Sequence, residues 1–174
     1  VRCFESDKIT HVNSKINPVE DLETIKTEII LSDLDLIQKK LEKGKKKLLQ
    51  EKEVTMLEEK LNELNEGKEI VAKDELEKEF LSSLGLLSFK PKIIVCNVDE
   101  ESLAAGNAFT DSVKKTFSKE KIVTICADIE DQIMGLDNSE RETFMKEIGL
   151  NKTGLNQLIK EGYDLLNLDT FFTS

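Results

Sequence analysis

Two apolar runs in the second half of the chain predict buried β-strands. Pro91 precedes the run IIVCNV at residues 93–98, and the run IVTIC occupies residues 122–126. Continuous β-branched runs of this length are typical of parallel strands that are covered on both faces. Residues 101–118, between the two runs, carry apolar side chains at helical spacing and predict a crossover helix. The pattern therefore predicts a right-handed βαβ unit, which binds ligands at the carboxyl ends of its strands.

The beginning of the chain predicts a short strand followed by a helix. The run VRCFE at residues 1–5 has the β-branched and aromatic content of a strand. Asn17 is a good N-cap, Pro18 suits the first helical position, and Glu20 stands where a capping-box acid reaches back. Apolar residues then recur at spacings of three and four, so we expect a helix with one buried face.

A pair of antiparallel helices is predicted next, inserted at residues 38–78. The first helix runs into the lysine-rich stretch QKKLEKGKKKLLQEK, which Gly44 interrupts, and the second ends at Gly67. Two narrow apolar stripes joined by a short basic turn indicate an antiparallel coiled-coil hairpin. Asp74 and Glu77 form a capping pair for a further helix.

The C-terminal part predicts two more helices and a tail strand. The helices are expected at residues 138–149 and 153–166, and the apolar tail LDTFFTS is expected to form a strand. We expect an α/β fold in three parts, in which residues 1–37 and 79–174 surround the helical insert at residues 38–78.

Composition limits the classes of function. The 174 residues carry a formal charge of −10, which excludes a uniformly nucleic-acid-binding surface because phosphate contacts need a positive face. No apolar run reaches the length of a membrane span, so we expect the chain not to associate with a membrane. Cys3, Cys96 and Cys126 lie in apolar runs without a CxxC pair, and His11 is the single histidine. They predict reduced core cysteines in a cytoplasmic protein and no metal site.

The segment NVDE, residues 97–100, lies at the carboxyl end of the first predicted strand and carries the candidate chemistry. A carboxylate there can accept two N–H donors at once, such as the ring N–H and exocyclic amine of guanine, and a neighbouring amide can fix the loop or the base. Asn97 and Glu100 stand in this frame. An alternative is that Asn97 or Asp99 caps the following helix while Glu100 favours its dipole. The spacing alone does not separate a helix cap from a base contact.

The sequence also resembles a known family over nearly all residues outside the hairpin tip. VRCFE, N-x-x-E at residues 97–100, ICADIE at residues 125–130, ERETFMKEIGL and GLNQLIKEGYDLLNLDTFFTS are similar to the YchF family of Obg-like ATPases. The resemblance implies part of a P-loop NTPase domain, with a parallel sheet, an inserted coiled coil and a following TGS domain. No G-x-x-x-x-G-K-[ST] loop and no D-x-x-G segment occur in this sequence.

The resemblance implies specific roles for a few residues. Asn97, Val98 and Glu100 fall on the base-recognition element, and Cys126 and Ala127 fall on a base-contacting turn whose backbone N–H groups would face the purine. In the family, Glu at the position of the usual Asp accompanies binding of ATP as well as, or better than, GTP. The implied cofactors are ATP or GTP, with Mg²⁺ in the intact protein. No catalytic residue is expected, because phosphoryl transfer needs a phosphate-cradling loop, and the chain alone should be inactive.

A basic cluster at the proposed hairpin tip is the candidate contact for RNA or the ribosome. Its members are Lys39, Lys40, Lys43, Lys45, Lys46 and Lys47. Such a positive finger fits ribosomal RNA, and the resemblance implies association with ribosomes in the cytoplasm. The alternatives are a solvated helical surface and, for the whole chain, a non-catalytic coiled-coil adaptor on a Rossmann-like sheet.

Overall fold

The computed structural model describes residues 1–6, 15–44 and 49–169. The strands found there are β1 (Ile93–Asn97) and β2 (Lys121–Ile125). The helices, in chain order, are α1 (Pro18–Gly44), α2 (Glu51–Asn65), α3 (Glu75–Leu84), α4 (Ser102–Ala105), α5 (Ala108–Thr116), α6 (Ala127–Met134), α7 (Asn138–Glu147) and α8 (Gly154–Leu166). The protein is therefore α/β, mostly helical, with a small parallel sheet.

Packing divides the chain into two compact units. The first joins Val1–Leu22 to Pro91–Ser174, and the second is Glu23–Lys90, so the division falls within α1. The predicted insert at residues 38–78 lies inside the second unit, and its boundaries remain a prediction. Of the predicted tail strand, Leu168 and Asp169 have no regular structure, and the rest lies outside the described residues.

The sheet of the first unit pairs β1 with β2 in parallel. Ile93 lies opposite Lys121, and Asn97 lies opposite Ile125. This confirms both predicted strands to within one residue at each end. Val123 and Cys96, near the middle of the sheet, are fully buried, as expected for strands that helices cover.

The first residues run beside β1 on the edge away from β2, but the predicted strand at residues 1–5 is wrong in extent. Arg2 forms a single parallel bridge with Asn97, and the Cys3 amide donates to the Asn97 carbonyl oxygen at 2.7 Å. The chain bends at Phe4, where the Nε atom of Arg2 donates to the Phe4 carbonyl oxygen at 2.9 Å and the guanidinium stacks on the ring. This local contact replaces further strand pairing.

The crossover between the strands contains two helices where a single one was predicted. Gly106, with φ of 74°, ends α4, and Asn107 then caps α5 by accepting hydrogen bonds from the amides of Phe109 and Thr110. Because a left-handed residue interrupts the helical hydrogen bonds, α4 and α5 cannot be continuous. The connection still returns the chain to a parallel strand, as the βαβ prediction requires.

The last helix, α8, is anchored at its N-terminus beside β2. Thr153 caps it, and the side chain of Glu130 accepts hydrogen bonds from the amides of Gly154 at 2.6 Å and Leu155 at 3.2 Å. A Cβ atom on Gly154 would lie 2.7 Å from Cγ2 of Ile125 and 3.0 Å from Oε1 of Glu130. Glycine is therefore required here by close packing against the end of β2.

The second unit is built from helical residues of α1, α2 and α3. Asn17 and Glu20 form the predicted cap of α1, and Asp74 caps α3 by accepting from the amide of Glu77 at 2.8 Å. The buried apolar core combines side chains of the three helices with two from the segments that flank α3, Ile70 and Leu86. Its helical members are Ile37, Leu41, Leu57, Leu64, Leu81 and Leu84. A coiled-coil packing of α1 against α2 alone remains a prediction.

Two of the three buried charged residues described in this unit add contacts to the backbone of neighbouring segments. Asp33, 1% exposed, accepts hydrogen bonds from the amides of Leu87 at 2.9 Å and Ser88 at 2.7 Å. Lys60, also 1% exposed, bonds the Val71 carbonyl oxygen at 2.8 Å. These contacts fix α1 and α2 to the segments that flank α3, because a buried charge must be paired or hydrogen-bonded.

Candidate functional site

The carboxyl ends of β1 and β2 are held together by one side chain. Asn97 is the last residue of β1, and its Oδ1 atom accepts a hydrogen bond from the amide of Ala127 at 2.9 Å. One residue later, the Val98 amide donates to the Ile125 carbonyl oxygen at 2.8 Å, and the Val98 side chain is buried. Asn97, Val98 and Ala127 therefore come together at the sheet edge, as the predicted site requires.

The two acids that follow have different surroundings. Asp99 is half-buried, and its Oδ1 atom accepts from the amide of Ser102 at 3.0 Å in the first turn of α4. The cap interpretation therefore applies to Asp99. Glu100 is exposed, and in the part of the chain that the structure describes its carboxylate has no hydrogen bond or ion pair. Of the two, Glu100 is the carboxylate that can accept donors from a ligand.

Cys126 and Ala127 lie at the start of a helix, so the predicted turn is corrected. Cys126 is the N-cap of α6 and is 1% exposed, whereas Ala127 is the first helical residue and is exposed. The helix begins at once because Asn97 satisfies the amide of Ala127, one of the groups that a helix start leaves unpaired. Only the backbone of Cys126, not its buried thiol, can face a ligand here.

Two further polar residues position this region and were missed by the sequence analysis. The Nδ2 atom of Asn107 donates to the Cys3 carbonyl oxygen at 2.7 Å and to Oγ of Ser102 at 3.1 Å, which joins the first residues to both crossover helices. Glu130 caps α8, as described above. Gly106 followed by Asn107 is a recognisable signal for one helix ending and another beginning. The role of Glu130 could not be predicted from nearby residues, because its partner Gly154 lies 24 residues away.

The three cysteines are buried and reduced in the core of the first unit, as predicted. The pKa of Cys3 is raised well above its ordinary value by a hydrogen bond with Cys96 and by burial. This thiol therefore stays protonated and is a poor nucleophile or metal ligand. Within the described ranges no cluster of His, Cys, Asp or Glu is arranged to hold a metal ion.

Part of the basic cluster lies on the last turns of α1. Lys39 is exposed and pairs with Asp35 at 2.6 Å, Lys43 is exposed, and Lys40 is half-exposed. Lys45, Lys46 and Lys47 lie outside the described residues. None of the helices in the described ranges is long and apolar enough to cross a membrane.

Comparison with known proteins gives consistent relatives. A scan against models of protein families finds no match. The ribosome-binding ATPase YchF of Escherichia coli O157:H7 is 40% identical over 185 residues, which cover 100% of this chain and 50% of that protein. The Bacillus subtilis protein of the same name is 35% identical over 185 residues, with the same coverage.

A solved structure agrees with these relatives. It is titled Structure of the Schizosaccharomyces pombe YchF GTPase, and it is similar with a TM-score of 0.85 and 26% identity over 100% of this chain and 50% of that chain. The chain spans about half the length of the curated relatives it matches.

Proposed function

We propose that this chain, which is homologous over its whole length to the YchF proteins, forms the base-binding part of a ribosome-associated ATPase. The hydrogen bond between Asn97 and Ala127 supports this proposal most directly. It holds two parallel strand ends together at the edge where α/β proteins bind their ligands. The fold fits part of a P-loop NTPase domain, with residues 38–78 as its helical insert.

The proposed roles divide recognition among five residues. Glu100 supplies an exposed carboxylate, Asn97 fixes the two strand ends, and the backbone of Cys126 and Ala127 faces the purine. The Val98 side chain is buried in the core of the first unit and holds this end of β1 in place. These residues recognise a base and cleave no bond, because phosphoryl transfer depends on positioning and charge stabilisation around the phosphates.

ATP is the proposed nucleotide, with GTP as a second ligand and Mg²⁺ bound together with the phosphates in the intact protein. The proposal takes the nucleotide from the resemblance to the YchF family, since a carboxylate alone would pair better with the donors of guanine. The adenine amine is a hydrogen-bond donor, so a backbone carbonyl oxygen at this edge is the candidate for reading it, whereas the free N–H groups at the start of α6 can donate only to ring nitrogens. Ribosome association places this activity in the cytoplasm.

Ribosome association is proposed to involve the basic cluster. Lys39, Lys40 and Lys43 lie on one end of α1, and Lys45–Lys47 follow them in sequence. Lysines of this density bind phosphates and release counterions, so the contact should weaken as salt rises. The E. coli and B. subtilis relatives carry ribosome binding in their names.

A second candidate function is a coiled-coil adaptor without nucleotide binding. The contact between Asp99 and the Ser102 amide favours it, because a helix cap explains one of the two acids without any ligand. The adaptor predicts that Glu100 is an ordinary surface residue, whereas the ATPase predicts that it selects the base.

The experiment joins this chain to the phosphate-binding segment of a YchF relative and measures competition between ATP and GTP. Glu100→Ala should remove the preference between the two nucleotides, because the carboxylate no longer meets the base. Asp99→Ala is the matched control, since it removes an adjacent acid that is engaged in a helix cap. If both variants keep the parent preference, or if no nucleotide binds in any of them, the adaptor is the better account.

A further inference from the structure

A groove in the second unit lies between α1, α2 and α3 and is not part of the base-binding site. Its volume is about 750 Å³, within the range of sites that take up ligands or side chains of a partner. All of its lining residues belong to the second unit. The groove is therefore a property of this unit alone.

The floor of the groove is apolar. It is lined by Leu36, Leu49, Phe80 and Leu84, each of which belongs to the core of the three-helix unit or packs against it. Gly44 contributes to this shape, because a Cβ atom there would lie 2.8 Å from Cγ of Leu49. The glycine thus lets Leu49 approach the end of α1 and continue the apolar floor.

One wall of the groove is positively charged. Lys39, Lys40 and Lys43 line it from α1. Lys39 pairs with Asp35, whereas among the described residues neither Lys40 nor Lys43 has an ion pair with a carboxylate. Among the described lining residues the one carboxylate belongs to Glu53, whose Oε2 atom accepts from the Gln50 amide at 2.7 Å in a capping box. This carboxylate keeps its charge, but the lysines of the described lining outnumber it, so the groove presents a net positive charge over an apolar surface.

We infer that this groove binds an acidic, amphipathic peptide segment of a partner protein. Apolar side chains at helical spacing would fill the floor, and carboxylates on the flank of the same segment would meet Lys40 and Lys43. The inference rests on the proposed function only in that ribosome association brings partner proteins close to this end of α1. The groove itself is argued from its lining alone.

The lining favours a peptide over RNA. Recognition of unpaired nucleotides uses several stacked aromatic rings and donors or acceptors for the base edges. The described lining of the groove contains one aromatic ring, Phe80, and its one hydroxyl, on Ser83, already donates to the Phe80 carbonyl oxygen at 2.7 Å. Base edges buried on leucine side chains would lose hydrogen bonds to water without replacement.

The test uses a fluorescent peptide of about sixteen residues, with leucine at helical spacing and glutamate elsewhere. A peptide with glutamine in place of glutamate and a single-stranded RNA of about twelve nucleotides serve as comparison probes. Fluorescence anisotropy measures the affinity of each probe for the protein. Methyl NMR of Leu36, Leu49 and Leu84 reports whether the probe occupies the groove. Only the acidic peptide should shift these three methyl signals.

Two variants separate charge from shape. Lys40→Glu/Lys43→Glu should weaken peptide binding by about tenfold or more, because attraction becomes repulsion. Ser83→Trp should weaken it similarly by filling the groove from an exposed position on α3. The control Lys52→Glu/Lys90→Glu makes the same change in net charge at exposed lysines outside the groove and should bind as the parent does.

The inference is wrong if the acidic peptide fails to bind, if Ser83→Trp binds it as the parent does, or if the RNA causes the larger shifts at the three leucines. Ribosome cosedimentation of Lys45→Ala/Lys46→Ala/Lys47→Ala is measured in parallel. If this variant loses ribosome binding in a salt-dependent way while the acidic peptide leaves the three leucine signals unshifted, the peptide site is refuted and the proposed function is kept.

Discussion

Removal of the Lys60 side chain should strongly destabilise the second unit. The ammonium nitrogen lies 3.0 Å from Oε2 of Glu63, 3.1 Å from Oε1 of Glu77 and 2.8 Å from the Val71 carbonyl oxygen. The contact with Glu77 is an ion pair without hydrogen-bond geometry. Lys60 and Glu77 have side-chain exposures of 1% and 4%, so Lys60 compensates a buried carboxylate whose other oxygen, Oε2, accepts a hydrogen bond from the Lys73 amide at 2.7 Å.

Lys60→Ala should lower the free energy of unfolding by about 3–5 kcal/mol, because it leaves the Glu77 carboxylate buried without its cation partner and with only the hydrogen bond from the Lys73 amide. This is a large part of a typical total of about 5–15 kcal/mol. The double variant Lys60→Met/Glu77→Leu removes both charges and keeps most of the volume. Its free energy of unfolding should lie within about 2 kcal/mol of the parent value and above that of Lys60→Ala.

Urea unfolding followed by far-UV circular dichroism measures these differences. Lys73→Ala is the matched control, because its ammonium pairs with Glu59 on the surface, where water and salt screen the interaction. The reasoning is refuted if Lys60→Ala is no less stable than Lys73→Ala. It is also refuted if the double variant is as unstable as Lys60→Ala.

Two other predictions concern the first unit and the basic cluster. Gly154→Ala should lower the free energy of unfolding by about 1–3 kcal/mol, since its Cβ would lie 2.7 Å from Cγ2 of Ile125; Gly162→Ala, with open space around its Cβ position, is the control in the same unfolding measurement. Lys45→Ala/Lys46→Ala/Lys47→Ala in the intact protein should weaken ribosome cosedimentation and flatten its salt dependence. Unchanged cosedimentation across a salt series would exclude the cluster as the contact.

The sequence predicts those elements whose signals are local. The β-branched runs around Ile94 and Val123 identify both strands, and Asn17, Asp74 and Thr153 identify the starts of three helices. These assignments hold because a strand's apolar run and a helix cap each depend on a few adjacent residues.

The elements that the sequence analysis missed depend on distant partners or on single backbone angles. The break between α4 and α5 follows from the positive φ of Gly106, which the apolar spacing does not reveal. Burial of Lys60 depends on Glu77, which is seventeen positions away on another helix. A lysine near several glutamates in sequence is predicted to lie on the surface. Only the structure shows that Lys60 is buried.

The candidate site was predictable in position but not in detail. Asn97 and Glu100 lie at the carboxyl end of a predicted parallel strand, where α/β folds favour ligand binding. The sequence left open whether the acids cap a helix or meet a base. The structure assigns the cap to Asp99, through Ser102, and leaves Glu100 exposed.

The most direct test of the base-binding proposal is an NMR titration of the protein with adenosine and guanosine. Nucleosides carry the base without phosphates, so they probe the strand ends alone, at about millimolar concentration because small ligands bind weakly. The proposal predicts that adenosine shifts the Ala127 amide and the Asn97 side-chain amide, and that Glu100→Ala alters the difference between the two nucleosides. The absence of shifts at both groups, or identical titrations of parent and Glu100→Ala, would contradict it.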